Sequence, residues 1–525
     1  MKILFLLLLF AQVALGQVSY ERLLRAEAEP GNWLTYSGNY RGHRYSALKQ
    51  IDSANVARLH PVWVYQSRDP GKFSTSPIVV DGVLYITERP NVVTALDGKT
   101  GRPLWSYQHA LPPDFRACCG ATNRGLAILG DTLFLGTLDA HLVALDMRTG
   151  KLRWDAVVAD YKIGYAITVA PLAVKDKVIV GVAGGEYGIR GLLDAYDAKS
   201  GQRIWRFWTV PGPGEPGHET WAGESWKTGG APTWITGSYD PELNLVYWGT
   251  GNAGPDYDGD ERAGDNLYAN SLVALDADTG KLKWYFQFTP HDVHDWDATH
   301  VPVLLDGVVA GRKRKLVVEA NRNAFYYVLD RETGEFLSGT PFAKQTWAQG
   351  LDARGKPIPL PNTAPTPEGR VIYPGIHGGT NWFSPSYNPL NRLFYVATRE
   401  EGVTFYKTKG SYIAGELFFG GGIRGITGVE PSGSIKALEV ETGKLRWEFK
   451  LHSPPWAGLL STAGGLVFGG SSEGMFFALD AGSGKPLWHF PTGGPIYANP
   501  VSFLVDGKQH VTIAAGQALF AFALD

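Results

Sequence analysis

Four short clusters hold the residues with chemical potential in this chain of 525 residues. They are Arg116-Ala-Cys118-Cys119-Gly-Ala-Thr-Asn-Arg124, Gly184-Gly185-Glu186-Tyr-Gly-Ile-Arg190, Trp248-Gly-Thr-Gly-Asn252 and Pro290-His-Asp-Val-His-Asp295-Trp-Asp297. The two cysteines are the only ones in the sequence, and they are adjacent. Zinc sites space their ligands with intervening residues, so adjacency speaks against a metal pair. In an oxidising compartment two neighbouring thiols can close an eight-membered disulfide ring. The other reading is a pair of reduced, inert cysteines. No Cys-x-x-Cys-His occurs, so no haem is attached through that motif.

What positions these clusters is a repeated phrase: Ala-Leu-Asp, three residues, Gly, three residues, Trp. It ends at Trp105, Trp154, Trp205, Trp284, Trp447 and Trp488, and a degraded copy runs from Val328 to Ser338. An eighth is split between Ala523-Leu524-Asp525 and an orphan Trp63. Alternating apolar residues such as Leu142 to Leu145 predict a strand. Asp, Thr or Ser, and Gly then predict a tight hairpin turn, with Gly taking a positive φ. The next short strand is expected to end in Trp, large enough to wedge between sheets. One such unit cannot bury its own faces, so neighbours must stack around an axis. The reading is all-β: an eight-bladed β-propeller with docking tryptophans, closed by a blade shared between the chain ends. The intervals Asp197 to Asp276 and Asp330 to Glu439 are long and are expected to carry functional insertions.

The ends and the composition narrow the class. Met1-Lys2 precedes an apolar run from Ile3 to Leu15, and Ala14-Leu15-Gly16 supplies small residues before Gln17. Residues 1–16 therefore read as a secretory signal peptide, with 17–525 as one exported propeller domain. No second long apolar run follows, so no transmembrane anchor is expected. A net charge of −2 gives no nucleic-acid footprint.

At the four clusters the chain resembles the periplasmic quinoprotein alcohol dehydrogenases, which use pyrroloquinoline quinone (PQQ). The likeness runs from Trp33 to the C-terminus. Its motifs are the paired cysteines followed by Asn123-Arg124-Gly125, GGEYGIRG from Gly184, the long segment from Glu224 to Asn252, and PHDVHDWDAT from Pro290. Several such motifs in order are specific, whereas one alone is weak. The resemblance implies a quinone in the central channel, with a Cys118–Cys119 disulfide over one face and Trp234 under the other. PQQ carries three carboxylates and needs cations and donors at its rim. By motif match these are Arg124, Thr168, the amides of Gly184 and Gly185, Arg322 and Asn381. Trp456 matches a further pocket position. Ser74 stands where many relatives have Glu, and Ala183 where some have Ser.

The same resemblance implies a metal held by Glu186, Asn252, Asp295 and Asp297. Oxygen donors favour calcium or another hard ion over zinc or copper. Calcium-type relatives have Ala two places after the catalytic Asp, and lanthanide-type relatives have a second Asp there. Asp297 therefore favours a lanthanide(III), with calcium as the alternative, because attraction scales with the charge product. His291 and His294 are read as structural. The implied chemistry has the metal polarising the quinone carbonyl, Asp295 taking the alcohol proton, and Arg322 near the reactive carbonyl. A small primary alcohol is the implied substrate and a soluble cytochrome c the implied acceptor. A homodimer is among the assemblies the sequence allows. Two rival classes share the repeat: a quinoprotein for sugars or polyols, and a non-catalytic propeller scaffold of the cell envelope. The second has no use for the paired cysteines, Glu186, Asn252 and the Asp295/Asp297 pair together.

Overall fold

The computed structural model describes residues 17–525; the signal peptide read over 1–16 lies outside the described residues. Seven four-stranded sheets and one five-stranded sheet follow one another along the chain, with a two-stranded and a three-stranded sheet inside insertions. The second of the larger sheets is typical. Its strands are Ala127–Leu129, Thr132–Gly136, His141–Asp146 and Leu152–Val157. The first three are largely buried and the fourth alternates between exposed and half-buried. Burial on both faces explains the near-continuous apolar runs, and one wet face explains the alternation.

The repeated phrase makes one turn each time. Asp146 Oδ1 accepts from the amides of Arg148 and Thr149 and from the Thr149 hydroxyl, at 3.1, 2.9 and 2.9 Å. Gly150 follows at φ 68°, where a side chain is disfavoured. Asp97, Asp197, Asp276, Asp330 and Asp480 form the same cap. The tryptophan does not end its strand as expected. Trp154 is the third residue of Leu152–Val157, and the register shifts between Leu152 and Trp154. That bulge turns the indole toward the neighbouring sheet.

Each indole N–H then reaches the turn of the next sheet. Trp105, Trp154, Trp205 and Trp284 donate to the carbonyls of Met147, Ala198, Ala277 and Arg331, each at 3.2 Å. The rings lie so close under Gly150, Gly201, Gly280 and Gly334 that a β-carbon there would collide with them. In the degraded copy Ser338 replaces Trp, and Tyr326 takes over: its hydroxyl donates to Val440 O at 2.8 Å and its ring underlies Gly443. Trp447 continues to Ala481 O, Trp488 to Leu59 O, and Trp63 to Gly98 O in the first sheet, where the run of links began. The chain ends meet as the split phrase predicted: His60–Gln66 pairs antiparallel with Ala518–Ala523.

The long intervals hold 3₁₀ turns at His218–Thr220 and Ser225–Thr228, and the strands Ala348–Leu351, Pro357–Pro359 and Arg370–Ile372. Among the described residues no helix is long and apolar enough to cross a membrane.

Trp205 is 7% exposed and carries both the packing and the hydrogen bond. Trp205→Ala is expected to cost about 3–5 kcal/mol, and Tyr326→Phe, which keeps the ring, about 1 kcal/mol. Chemical denaturation midpoints check both. Equal losses would mean that ring packing is not what joins the sheets.

Candidate functional site

The docking turns all lie at one end of the sheets. The chemistry lies at the other, because a chain that enters strand one there also passes from strand two to strand three there. Cys118 to Arg124, Thr168, Trp234, Asp295 and Asp297, Asn381 and Trp456 are all in segments leading into the first strand of a sheet. Gly184 to Glu186, Asn252 and Arg322 follow second strands. These segments converge on a cavity of about 280 Å³. Its walls include Cys118, Cys119, Arg124, Thr168, Gly184, Glu186, Trp234, Asp295, Asp297, Arg322, Asn381 and Trp456. Ser74 and Ala183, the two departures from the family pattern, are also in its wall. Asn252 and Gly185 stand just behind: Asn252 N–H donates to Asp297 Oδ1 at 2.9 Å, and a β-carbon on Gly185 would lie 3.7 Å from Asn252 Oδ1.

Cys118 and Cys119 are joined as a disulfide, which rejects the reading of two reduced thiols. Cys119 Sγ lies 3.7 Å from Glu186 Oε1. Arg124 sits between two indoles, its guanidinium 4.8 Å from the ring centres of Trp234 and of Trp382. One of its nitrogens donates to Thr168 O at 3.3 Å and Nε has no partner. Burial draws its pKa down to about 10, so it stays cationic at neutral pH. An unsatisfied buried donor on a cation suits an anionic group in the cavity.

The segment from Pro290 to Thr299 divides its residues by side. Asp292 accepts from the amides of His294 and Trp296, at 3.0 and 2.8 Å. His294 stacks on Trp296 with ring centres 4.3 Å apart, and Trp296 donates to Gly375 O. His294 is therefore structural, and so is His291, which bonds Gly264 O. Asp295 and Asp297 face the cavity. Asp295 adopts φ 57°, the left-handed region that costs a non-glycine residue about 1 kcal/mol and that aspartate tolerates better than most. Asp297 is 5% exposed, so it does not face solvent, and the backbone amide it accepts from is Asn252 N–H in another segment rather than one of a local turn. Arg322 Nη1 donates to Asp297 Oδ2 at 2.5 Å, while Arg322 Nη2 lies 3.9 Å from Asp295 Oδ1.

The electrostatics favour a cation here. Burial holds the Asp295 carboxyl well above its usual range, against the pull of Arg322; Asp297, Asp256 and Glu186 add to the rise. Burial likewise pushes Glu186 up to about 7. Sequence reading missed Asp256. It is fully buried, accepts from Asn252 Nδ2 at 2.8 Å, and leaves Oδ2 without a partner. This bond spends the Asn252 amine and leaves its amide oxygen free to face a cation. Four carboxylates gather here, with Arg322 beside Asp295 and Asp297 and Arg262 facing Asp256. The donor set, hard oxygens with an excess of negative charge, fits a bound metal. His377 and Arg399 were also missed. They flank Trp456, with His377 edge-on at 5.0 Å and Arg399 over the ring at 4.2 Å, and both bond Glu401. The segment 410–427 does not line the cavity; it backs it, with Phe418 N–H donating to Glu186 O at 2.7 Å. Only the length of that insertion signalled it.

Residues 33–350 match the family described as the β-propeller domain of glucose, ethanol and alcohol dehydrogenases. Residues 431–525 match the outer membrane protein assembly factor BamB. The quinoprotein alcohol dehydrogenase PedH of Pseudomonas putida is 39% identical, over 97% of this chain and 90% of its own. The lanthanide-dependent methanol dehydrogenase of Methylacidiphilum fumariolicum is 37% identical, over 94% of this chain and 86% of its own. A europium-containing methanol dehydrogenase structure superposes with a TM-score of 0.91 at 34% identity, covering 96% of this chain and all of that one.

The raised carboxyls set a sign for stability. Glu186 binds its proton more tightly folded than unfolded, so its contribution is fully present below its ordinary value of 4.5 and lost as pH rises through about 7. Protein stripped of metal is expected to melt at lower temperature near about pH 8 than near about pH 5. Added hard cation should raise the melting temperature more at the higher pH. Calorimetry across that range checks this, and a cation effect independent of pH would count against the cluster as its binding site.

Proposed function

The chain belongs to the quinoprotein alcohol dehydrogenases, and from that premise we propose that it oxidises a primary alcohol to an aldehyde with PQQ and a trivalent lanthanide ion. The observation that carries the metal assignment is the charge of the pocket. Asp297 adds a third carboxylate to Glu186 and Asp295 in the cavity wall, and Coulomb attraction to that set grows with the charge of the ion, which favours a trivalent over a divalent one. Calcium is the alternative. The eight large sheets would be the blades of a closed ring, a reading supported by the run of indole links that returns to its start.

Glu186, Asn252, Asp295 and Asp297 would hold the cation. The Cys118–Cys119 disulfide, Trp234, Arg124, Thr168, the Gly184 and Gly185 amides, Asn381 and Trp456 would hold the cofactor. When bound, the quinone supplies a two-electron acceptor and the cation a Lewis acid that polarises its reactive carbonyl. Asp295 then serves as general base for the alcohol hydroxyl. Its neighbour Asp297 is already engaged by Arg322 and by the Asn252 amide, so Asp295 is the less committed carboxylate. Arg322 holds Asp297 and, by donating to Ile376 O at 2.5 Å, fixes that part of the cavity wall. Trp382, Trp456 and Ile376 exclude water there. Electrons would leave to a soluble cytochrome c, in keeping with export of residues 17–525 to the periplasm after removal of 1–16. The likeness of residues 431–525 to an assembly scaffold reflects two repeat phrases, and that segment supplies only Trp456 and Tyr497 to the cavity.

Metal-stripped protein given PQQ and a cation should reduce an artificial dye with a primary alcohol. Lanthanum or cerium should restore more activity than calcium, and Asp297→Ala should lose the lanthanide response selectively. Equal activation by calcium with no effect of Asp297→Ala would make the site calcium-type. Asp295→Asn should lower kcat by about 10²–10⁴-fold in fully loaded protein. Absence of turnover across alcohols and sugars, with cofactor bound, would favour the scaffold reading.

A further inference from the structure

Outside the cofactor cavity, three side chains that the reaction does not use converge at one edge of the first two sheets. His109 follows the last strand of the first sheet, Pro103–Gln108. Asp139 and His141 come from the turn and third strand of the second sheet. His109 Nε2 lies 3.0 Å from Asp139 Oδ2, and His141 Nε2 lies 3.9 Å from the same oxygen. All three donor atoms fall within 4.8 Å of one another. The side chains of His109 and Asp139 are 10% and 5% exposed, and that of His141 is 25% exposed, which leaves one side open to water. None of the three lines the cofactor cavity.

We propose that His109, Asp139 and His141 bind a divalent transition-metal ion of borderline softness, such as zinc. Two imidazoles and one carboxylate are the donors such ions take, at about 2.0–2.2 Å. A tetrahedral ion at those bond lengths puts its donors roughly 3.4 Å apart, between the two donor separations seen here. The surroundings are those of a built site. His141 Nδ1 lies 2.7 Å from Asp155 Oδ1, and the Thr137 hydroxyl donates to Asp139 Oδ1 at 2.6 Å. The first contact keeps the imidazole proton on Nδ1 and leaves the Nε2 lone pair for metal, as a carboxylate behind a ligating histidine does. The second fixes the carboxylate so that Oδ2 faces both rings. Two carboxylates and two neutral imidazoles balance a divalent cation. Binding would move the His109 ring proton from Nε2, where it faces Asp139, to Nδ1, so that Nε2 can ligate.

The ion would tie the first sheet to the second at the root of the segment that runs from His109 to the Cys118–Cys119 disulfide. Its place is therefore structural support for one wall of the cavity rather than chemistry within it.

The test uses full-length protein already loaded with PQQ and its cation. Zinc is titrated by calorimetry, and zinc per chain is measured by mass spectrometry after desalting. One further zinc per chain is expected in the native protein and none in His141→Asn. Asp155→Asn, which touches no metal, should bind zinc about 10–100-fold more weakly. Cobalt in place of zinc should give visible d–d absorption that His141→Asn lacks. If His141→Asn does not fold, His109→Gln on the other sheet takes its place in each measurement. Equal zinc retention by native and variant protein overturns the proposal, as does unchanged zinc affinity in Asp155→Asn. In either case the cluster is a hydrogen-bonded network and no more.

Discussion

An indole that crosses from one sheet into the turn of the next is the contact on which the rest of this structure depends. A four-stranded sheet with two apolar faces cannot stand alone in water. The indole supplies apolar area and, through its N–H, a hydrogen bond that leaves no buried donor unpaired. The turn that receives it must hold its carbonyl still and leave room for a ring. The Asp cap does the first and the glycine does the second, so Asp, Thr or Ser, Gly and Trp form one device rather than four preferences. Tyr326 shows what the device requires. It sits on a different strand from the lost tryptophan, yet it brings a ring under Gly443 and a donor to Val440 O.

The same order separates stability from chemistry. Docking turns occupy one end of every sheet, which frees the segments at the other end to vary. Those segments need not bury apolar surface against a neighbour, so they can carry Arg124, Glu186, Asn252, Asp295 and Arg322 instead. Their support is local. Gly251 has no room for a side chain because Asp297 Oδ1 lies against it, and Asp292 pins the backbone that presents Asp295 and Asp297.

This division explains what was legible in the sequence. The repeat was readable because each copy is contiguous and each residue in it acts on its near neighbours. The pairing of the N-terminal strand with the last strand was readable from the orphan Trp63 and the terminal Ala523-Leu524-Asp525. The cavity residues were readable as departures from the repeat and by resemblance, and the cavity draws them together. Position within the strand was not: the bulge before Trp154 depends on its partner strand, which the sequence does not show. Asp256 was missed because its meaning lies in Asn252, whose amine it takes, and no spacing rule marks that pair. His109, Asp139 and His141 were missed for a similar reason, since strands of two sheets bring them together. The shift of duty to Tyr326 was equally hidden, because Tyr326 precedes the turn phrase that lost its tryptophan.

The pocket's charges also constrain how strong its base can be. Burial raises the Asp295 carboxyl well above its usual range, and a carboxyl in its protonated form cannot take up the alcohol proton. A cation bound among Glu186, Asn252, Asp295 and Asp297, as proposed, would lower the pKa of each acid and so would make Asp295 available. The same attraction weakens it as a base, and a trivalent ion would weaken it most. Arg322 lies closer to Asp297 than to Asp295, at 2.5 against 3.9 Å, yet its charge pulls the Asp295 carboxyl in the same direction. Asp256 opposes it. Placed behind Asn252 and facing Arg262, it would, when ionised, add negative charge near Asp295 while occupying no coordination position of its own. On the proposed reading a strong Lewis acid and a usable base would share one small cavity, with the moderating carboxylate held behind Asn252 rather than on the ion.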